Sequence, residues 1–552
     1  MRTNLFFFII SVTVALNVQN SDTIYFVKNN RLVNKQSIKE TDIDSIIFYR
    51  TGNDDEINNN LDSLALQPYC KNPNYWQYNG RPILLFGGSE TDNIFQWAGV
   101  GSKLTDHLDL LSSCGGNYLR CTMSSREYTL EGYRWDMFPY PYARMNGKYN
   151  LSVWNEEYWN KFRTFLQETK NRGIIVQVEV WDRWNESGRS DVRIAGDAGW
   201  FESPYNPNNN STYSWESSPL LIKGIKTPFY NEFHLAANTN DPVLLPVQQQ
   251  FINRIVDEVM DNGFNHVLFQ IDNESGIGDA TLEPDPYWAN YIRQYAQSKD
   301  SLFPVYVCSS RRFHPPAPYL TLNFQDWNNP EIRVSITNSV FNYCDISQNN
   351  GNSGQAHYNN FIWYRDKVHE NGIRPINCVK CYHFNWHTGA DFNQERISPP
   401  DHEAFSKFWR VIFAGGAAIR FHRDTPYKPG GLRDGFGLSS EAQVHIKSLR
   451  MLIEEINIFS MEPNNTILAQ RTNNEAYCLA EPGKQYAVFF TGEGDKSVQI
   501  DFGSSGKEYE LRWLDINENK WINSPDNLNS RYNTLTPLLQ AVSGLLLYSK
   551  KC

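Results

Sequence analysis

Phe251-Ile-Asn-Arg-Ile-Val-Asp-Glu-Val-Met-Asp-Asn-Gly-Phe-Asn-His-Val-Leu-Phe-Gln-Ile-Asp-Asn-Glu-Ser275 reads as one complete helix-to-strand unit. Phe251, Ile252, Ile255, Val256 and Val259 recur at the three- and four-residue spacing of a buried helical stripe. Asn262-Gly263 ends the stripe, and 266–275 is a short β-rich run that closes on Asp272-Asn273-Glu274. The same unit recurs outward in both directions. Further β-rich runs lie at 83–90, 118–125, 174–181, 304–310, 343–349, 376–383 and 417–423. Helix-period segments separate them: Leu104, Leu108 and Leu111 before Gly115-Gly116, and Trp159, Phe162, Phe165, Leu166 and Thr169 before Arg172-Gly173. Asp285-Pro286 and Pro400-Asp401 open two more helices, and Ser440 opens the last. Strands alternating with helices over 71–457 predict an α/β fold, a (β/α)8 TIM barrel with long insertions. A doubly wound open sheet is the alternative, but its first turn commonly carries GxGxxG, and here that turn is Gly87-Gly88-Ser89-Glu90.

After about residue 460 the pattern changes to short strands around Pro482-Gly483, which predicts a small all-β sandwich over 458–552. At the other end, Arg2 and the apolar run from Leu5 to Leu16 read as a signal peptide over 1–20, placing the protein in the medium, the periplasm or at the cell surface. Residues 21–70 form a short β-like segment, with runs at 22–27 and 43–49, and an Asn/Asp-rich linker. No other segment is apolar enough for a membrane span. Two connections are unusual: 182–246 is far longer than an ordinary βα loop, and 384–400 carries Trp386 and His387.

Aromatic residues make up 14% of the 552, including 16 Trp and 30 Tyr, an excess that suits stacking on sugar rings as well as a large core. The net charge of −10, without a Lys/Arg run, sets nucleic acid aside. Nine cysteines in so long a chain do not suggest a disulfide framework. Cys378 and Cys381 form a CxxC within a strand, where residues three apart point to opposite faces, which argues against a redox or metal pair. No GxSxG elbow, P-loop or HExxH is present, so no cofactor and no metal is expected.

The chemistry concentrates at Asn273-Glu274. At the C-terminal tip of a barrel's fourth strand, a Glu donates a proton to the glycosidic oxygen and its Asn neighbour hydrogen-bonds a sugar hydroxyl beside the scissile bond. A partly dry, aromatic-lined cleft raises the carboxyl's proton affinity as that role needs. The alternative is a plain Asp-Asn-Glu surface turn.

Asn79-Gly-Arg-Pro-Ile-Leu-Leu-Phe-Gly-Gly88, Gly115-Gly-Asn-Tyr-Leu-Arg120 and Phe408-Trp-Arg-Val-Ile-Phe-Ala-Gly-Gly-Ala-Ala418 are similar to pieces of a clan of (β/α)8 glycoside hydrolases, clan A, which place Asn-Glu after the fourth strand. More narrowly they resemble apiosidase-like barrels. The tail pieces Glu475-Ala-Tyr-Cys-Leu-Ala480, Tyr486-Ala-Val-Phe-Phe490 and Arg512-Trp-Leu-Asp515 resemble the C-terminal β-domain of those proteins, labelled collagen-binding. The resemblance implies a secreted glycosidase acting on a poly- or oligosaccharide, with Glu274 as acid/base and a nucleophilic Glu on the seventh strand. That strand reads Ile376-Asn-Cys-Val-Lys380-Cys-Tyr-His383, and Lys380 stands where the Glu should be.

Three explanations compete: the second carboxylate comes from another strand, the enzyme inverts with a base that activates water, or the barrel binds carbohydrate without cleaving it. Glu179 and Asp182 on the third strand lead, with Glu90, Asp92 and Glu403 behind them. Glu179 and Asp182 differ in parity, so at most one points inward if the strand is regular. Glu179's alternative role is an ion pair with Arg120 or Lys380. Around them, Asn273, Lys380, His383, His387, Arg420 and His422 are candidate hydrogen-bonding groups for substrate, and Trp181, Trp184, Tyr382 and Trp386 candidate stacking platforms. Plain packing competes with the stacking role. The sequence leaves the oligomeric state open.

Overall fold

The computed structural model describes residues 22–28, 31–38, 64–96, 102–123, 127–129, 132–134, 140–182, 200, 203–221, 236–237, 239–273, 284–309, 324–381, 402–423, 435–494, 497–503, 507–537 and 543–549. The chain divides into two compact units, Met1–Asn60 and Leu61–Cys552.

The larger unit is built from parallel strands that alternate with helices. In chain order they are β1 (Leu85–Gly88), α1 (Ser102–Ser113), β2 (Tyr118–Thr122), α2 (Glu156–Asn171), β3 (Ile175–Asp182) and α3 (Leu244–Asp261). There follow β4 (Val267–Asn273), α4 (Pro284–Lys299), β5 (Val307–Cys308), α5 (Pro330–Thr337), β6 (Cys344–Asp345) and α6 (Gly354–Glu370). The last are β7 (Ile376–Cys381), α7 (His402–Phe413), β8 (Ala418–Phe421) and α8 (Ser440–Glu455). Each of the eight strand-like runs read between 83 and 423 contains a strand among the described residues. Helices α5 and α6 have no clear signal in the sequence: α5 is short, and the polar, aromatic-rich Gly354–Glu370 carries only a weak apolar stripe.

Strands β2 to β5 form one four-stranded parallel sheet in chain order, and β6, β7, β8 and β1 form another. The pairing of β8 with β1 is one that an open doubly wound sheet lacks. Two asparagines join the sheets, each placed just before or at the start of the incoming strand. Asn117 donates its backbone N–H to Phe86 O (2.9 Å). Its side chain accepts from Phe86 N (2.9 Å) and donates to Leu84 O (3.0 Å). Asn342 repeats the pattern on β5: its N–H reaches Val307 O (3.2 Å), its Oδ1 accepts from Val307 N (2.7 Å), and its Nδ2 donates to Val305 O (3.0 Å). At both seams a carboxamide thus supplies the bonds a strand edge would otherwise lack.

Inside the strands lies a small apolar cluster with Trp76, Leu85, Tyr118, Ile175, Leu268, Tyr343 and Val379, while the larger cluster fills the space between strands and helices. Gly87 and Gly88 end β1 because the backbone is crowded there. A Cβ on Gly87 would stand 2.2 Å from Tyr118 O, and one on Gly88 1.9 Å from Gly437 O.

One sequence expectation needs correction. Cys378 pairs with Ile419 and Cys381 with Phe421, so Val379 and Lys380 together oppose Arg420 alone. This β-bulge brings Cys378 and Cys381 to the same, outer side, where both join the large apolar cluster. Burial pushes both thiols well up, which leaves them poor nucleophiles.

Beyond 460 a six-stranded antiparallel sheet includes Ala476–Glu481, Gln485–Phe490, Tyr509–Asp515 and Ser543–Ser549. A three-stranded sheet of Leu468–Ala469, Val498–Asp501 and Tyr532–Leu535 shares an apolar cluster with it. In the described part of the smaller unit, Asp22–Lys28 pairs antiparallel with Arg31–Ile38. The signal-peptide reading, the run at 43–49 and the linker at 52–61 lie outside the described residues. Among the described residues no helix is long and apolar enough to cross a membrane.

Candidate active site

The strands carry buried polar residues where a plain core would be apolar. Gln177 and Glu179 on β3, Gln270 and Asp272 on β4, Asp345 on β6, Lys380 on β7 and Arg420 on β8 are all buried. Their alternation with apolar neighbours is the signal in the sequence that marks an inward polar face, and the sequence reading names only Glu179, Lys380 and Arg420 of them.

At the centre stands Arg120 on β2. Its Nη2 meets Asp92 Oδ1 at 2.5 Å and its Nη1 lies 3.3 Å from Glu179 Oε1. Asp92 also takes Arg423 on its other oxygen, and His422 Nδ1 lies 3.8 Å from it. Asp92 is thus held by two guanidiniums, and the ion pair foreseen as Glu179's alternative role is present. Glu179 Oε1 also accepts from Gln270 Nε2 at 2.9 Å, while its Oε2 has no hydrogen-bond partner among the described residues. Burial raises the Glu179 carboxyl to about 7, against the opposing pull of Arg120 and Lys380.

Asp182 is buried at the tip of β3, and its charge adds to the rise at Glu179. The strand is not regular there: Val180 and Trp181 both join the outer apolar cluster, which breaks the alternation that had set Glu179 and Asp182 on opposite faces. Asp182 is paired in register with Asn273, whereas Glu179 is paired with Gln270. Glu179 therefore lies three residues deeper, about 10 Å along the strand at 3.3 Å per residue.

Lys380 is turned toward Glu179 and Asp345 by the bulge, and its charge lowers the proton affinity of both. The bulge's backbone is satisfied by side chains: Val379 O accepts from Arg420 Nη1 (2.8 Å) and Val379 N donates to Asp345 Oδ2 (3.3 Å). Arg420 also donates to Ser89 Oγ through Nε (3.2 Å) and Nη2. Burial and the neighbouring Arg120 bring its guanidinium down to about 10. Burial likewise pushes His422 well below the usual imidazole range. Arg420 is thereby engaged within the protein.

Trp181 is 1% exposed and packs against Phe251 (ring centroids 5.2 Å), Trp288 (5.9 Å) and Tyr205 (6.3 Å), the packing role that competes with stacking. Glu403 is bound by both Arg410 nitrogens, Nη1 at 2.8 Å and Nη2 at 2.9 Å, and accepts from Gly354 N. It is a structural ion pair, and Glu90 is exposed. Glu274, Trp184, Tyr382, His383, Trp386 and His387 lie outside the described residues, as does the side chain of Asn273.

A polar chain links this site to the opposite end of the strands. Trp76 Nε1 donates to Asn377 Oδ1 (2.9 Å), Asn377 Nδ2 to Gln177 Oε1 (2.9 Å), and Gln177 Nε2 to Gln270 Oε1 (2.5 Å). Gln270 then closes on Glu179.

No protein-family model matches the sequence, and no curated protein does. Solved structures do share its fold. One, a glycoside hydrolase, aligns with a TM-score of 0.57 at 10% identity, over 89% of this chain and 98% of that one. Another, a glycoside hydrolase family 5 protein from Bacteroides vulgatus, gives 0.54 at 12% identity, over 88% of this chain and 94% of that one. The chain is therefore similar in fold, along nearly its whole length, to glycoside hydrolases with family 5 among them.

Proposed function

We propose that this protein is a glycoside hydrolase, a (β/α)8 barrel over 71–457 joined to a β-sandwich over 458–552, that cleaves a glycosidic bond in an extracellular poly- or oligosaccharide. The observation that carries the reading is the register of Asp182 against Asn273, the residue before Glu274, on adjoining strand tips of a fold shared with glycoside hydrolases. Glu274 is the general acid and Asp182 its partner carboxylate. Glu179 lies too deep and too firmly held by Arg120 and Gln270 for that part. Asn273, Lys380, Tyr382, His383, Trp386, His387 and His422 are the groups proposed to meet substrate. The apolar run at 5–16 directs the chain out of the cytoplasm.

Two carboxylates about 5–5.5 Å apart would retain anomeric configuration, and about 6.5–9.5 Å apart would invert it. The test is turnover of a panel of plant and microbial glycans by the wild type, Glu274→Gln and Asp182→Asn. Each variant should stay folded and lose about 10²-fold or more of kcat. Full turnover by either would refute its assigned role. Carbohydrate binding without turnover by the wild type would instead support a non-catalytic binding protein, the reading that Lys380 on β7 favours.

A further inference from the structure

The polar chain inside the strands has a direction fixed by chemistry. An indole N–H only donates, so Trp76 obliges Asn377 to present its oxygen. Asn377 must then donate to Gln177, Gln177 to Gln270, and Gln270 to Glu179. The Tyr118 hydroxyl donates to Gln177 Oε1 at 2.5 Å, consistent with that sense. Glu179 Oε1 is thereby an obligatory acceptor, and Arg120 Nη1 crowds the same atom at 3.3 Å. Any proton on this carboxyl must sit on Oε2, which is buried and without a hydrogen-bond partner among the described residues.

We infer that Glu179 is a proton-holding positioning residue: in the active form it carries a proton on Oε2, and loss of that proton sets the alkaline edge of activity. This rests on the hydrolase reading with Asp182 as the partner carboxylate. A buried carboxyl with one oxygen left without a hydrogen bond favours its neutral form, because burial penalises the charge. Glu179 is the deeper of the two carboxyls on β3. The charges that face it are Arg120 from β2, Asp92 from the connection after β1, Asp182 from its own strand and Lys380 from β7. Arg420 on β8 and the thiols of Cys121 and Cys308 also feel its charge. With Glu179 neutral, Arg120 is left to Asp92. When solvent base removes the proton, the new charge repels Asp182 and competes for Arg120.

The test is the pH–rate profile of the wild type and Glu179→Gln, with an infrared titration of the protonated-carboxyl band. Gln copies the neutral carboxyl in shape and cannot titrate. The wild type should lose activity as pH rises through about 7, with a carboxyl band that disappears over the same range. Glu179→Gln should lack both that edge and that band while still turning over substrate at lower pH. An unmoved alkaline edge overturns the inference. So does a folded Glu179→Gln that is inactive at every pH, which would make Glu179 a reacting carboxylate. If Glu179→Gln does not fold, a wild-type profile flat to about pH 9 also overturns it. Failure of the hydrolase reading itself would appear separately, as undiminished turnover in Glu274→Gln.

Discussion

At the scale of single residues, the fate of each candidate followed from what surrounds it. Trp181, Arg420 and Glu403 have residue types that suit a carbohydrate site, yet each is taken up by neighbours far away in sequence. Trp181 meets Trp288, Arg420 meets Ser89, and Glu403 accepts from Gly354. Glu179 is different because, among the described residues, half of its carboxylate has no hydrogen-bond partner in a buried place. That has a consequence for stability. Its proton affinity is higher in the folded chain, about 7, than the ordinary value of 4.5, so the folded state binds the proton more tightly between those limits. Stability from this group is full below about pH 4.5 and falls as pH rises through 7, by a few kcal/mol in all. The melting temperature of Glu179→Gln should therefore decline less than that of the wild type between about pH 5 and 8. Parallel curves would show that Glu179 does not titrate in that range.

At the scale of elements, short strands owe their order to side chains as much as to ladders. β5 and β6 are two residues each, and Asn342 supplies the link that Val307 and Val305 would otherwise lack. Removing a carboxamide strands a backbone N–H and a carbonyl, at about 1–3 kcal/mol for a buried group. Asn117→Ala should cost more than Asn342→Ala in urea unfolding, because the bonds of Asn117 are fully buried and those of Asn342 partly so. Equal small losses would mean that water replaces both. The bulge on β7 acts at the same scale. One extra residue turns both Val379 and Lys380 inward, so Lys380 reaches Glu179 and Asp345 while the flanking cysteines pack outward. A regular strand would have separated the two cysteines, as the sequence had suggested.

At the scale of the whole molecule, the parallel strands, their helices and the C-terminal sheets form one compact unit. Trp409 on α7 stacks on Phe489 at 5.6 Å, Tyr358 on α6 lies 4.4 Å from Tyr477, and Arg410 Nε donates to Asn474 at 3.0 Å. Tyr477, Leu479, Phe489 and Leu514 belong to the same apolar cluster as the helices. A chain ending at residue 457 would leave α6, α7 and α8 with exposed apolar faces. It should aggregate or melt well below the full chain, and a soluble 61–457 fragment with unchanged melting would show that the sheets are dispensable.

What the sequence determined by itself was the alternation of helix and strand, since periods of 3.6 and 2 and their Asn-Gly or Pro stops are local properties. It also displayed the polar residues at alternate strand positions and the Asn273-Glu274 motif. Only the tertiary structure decided which charges meet. The Asp92–Arg120–Glu179 group, the bond from Arg420 to Val379 and the bulge at Lys380 depend on register between strands up to hundreds of residues apart. Periodicity reports which face a residue occupies, but not which partner another strand will bring to that face. A single bulge or a break in alternation at a strand tip reverses even the face.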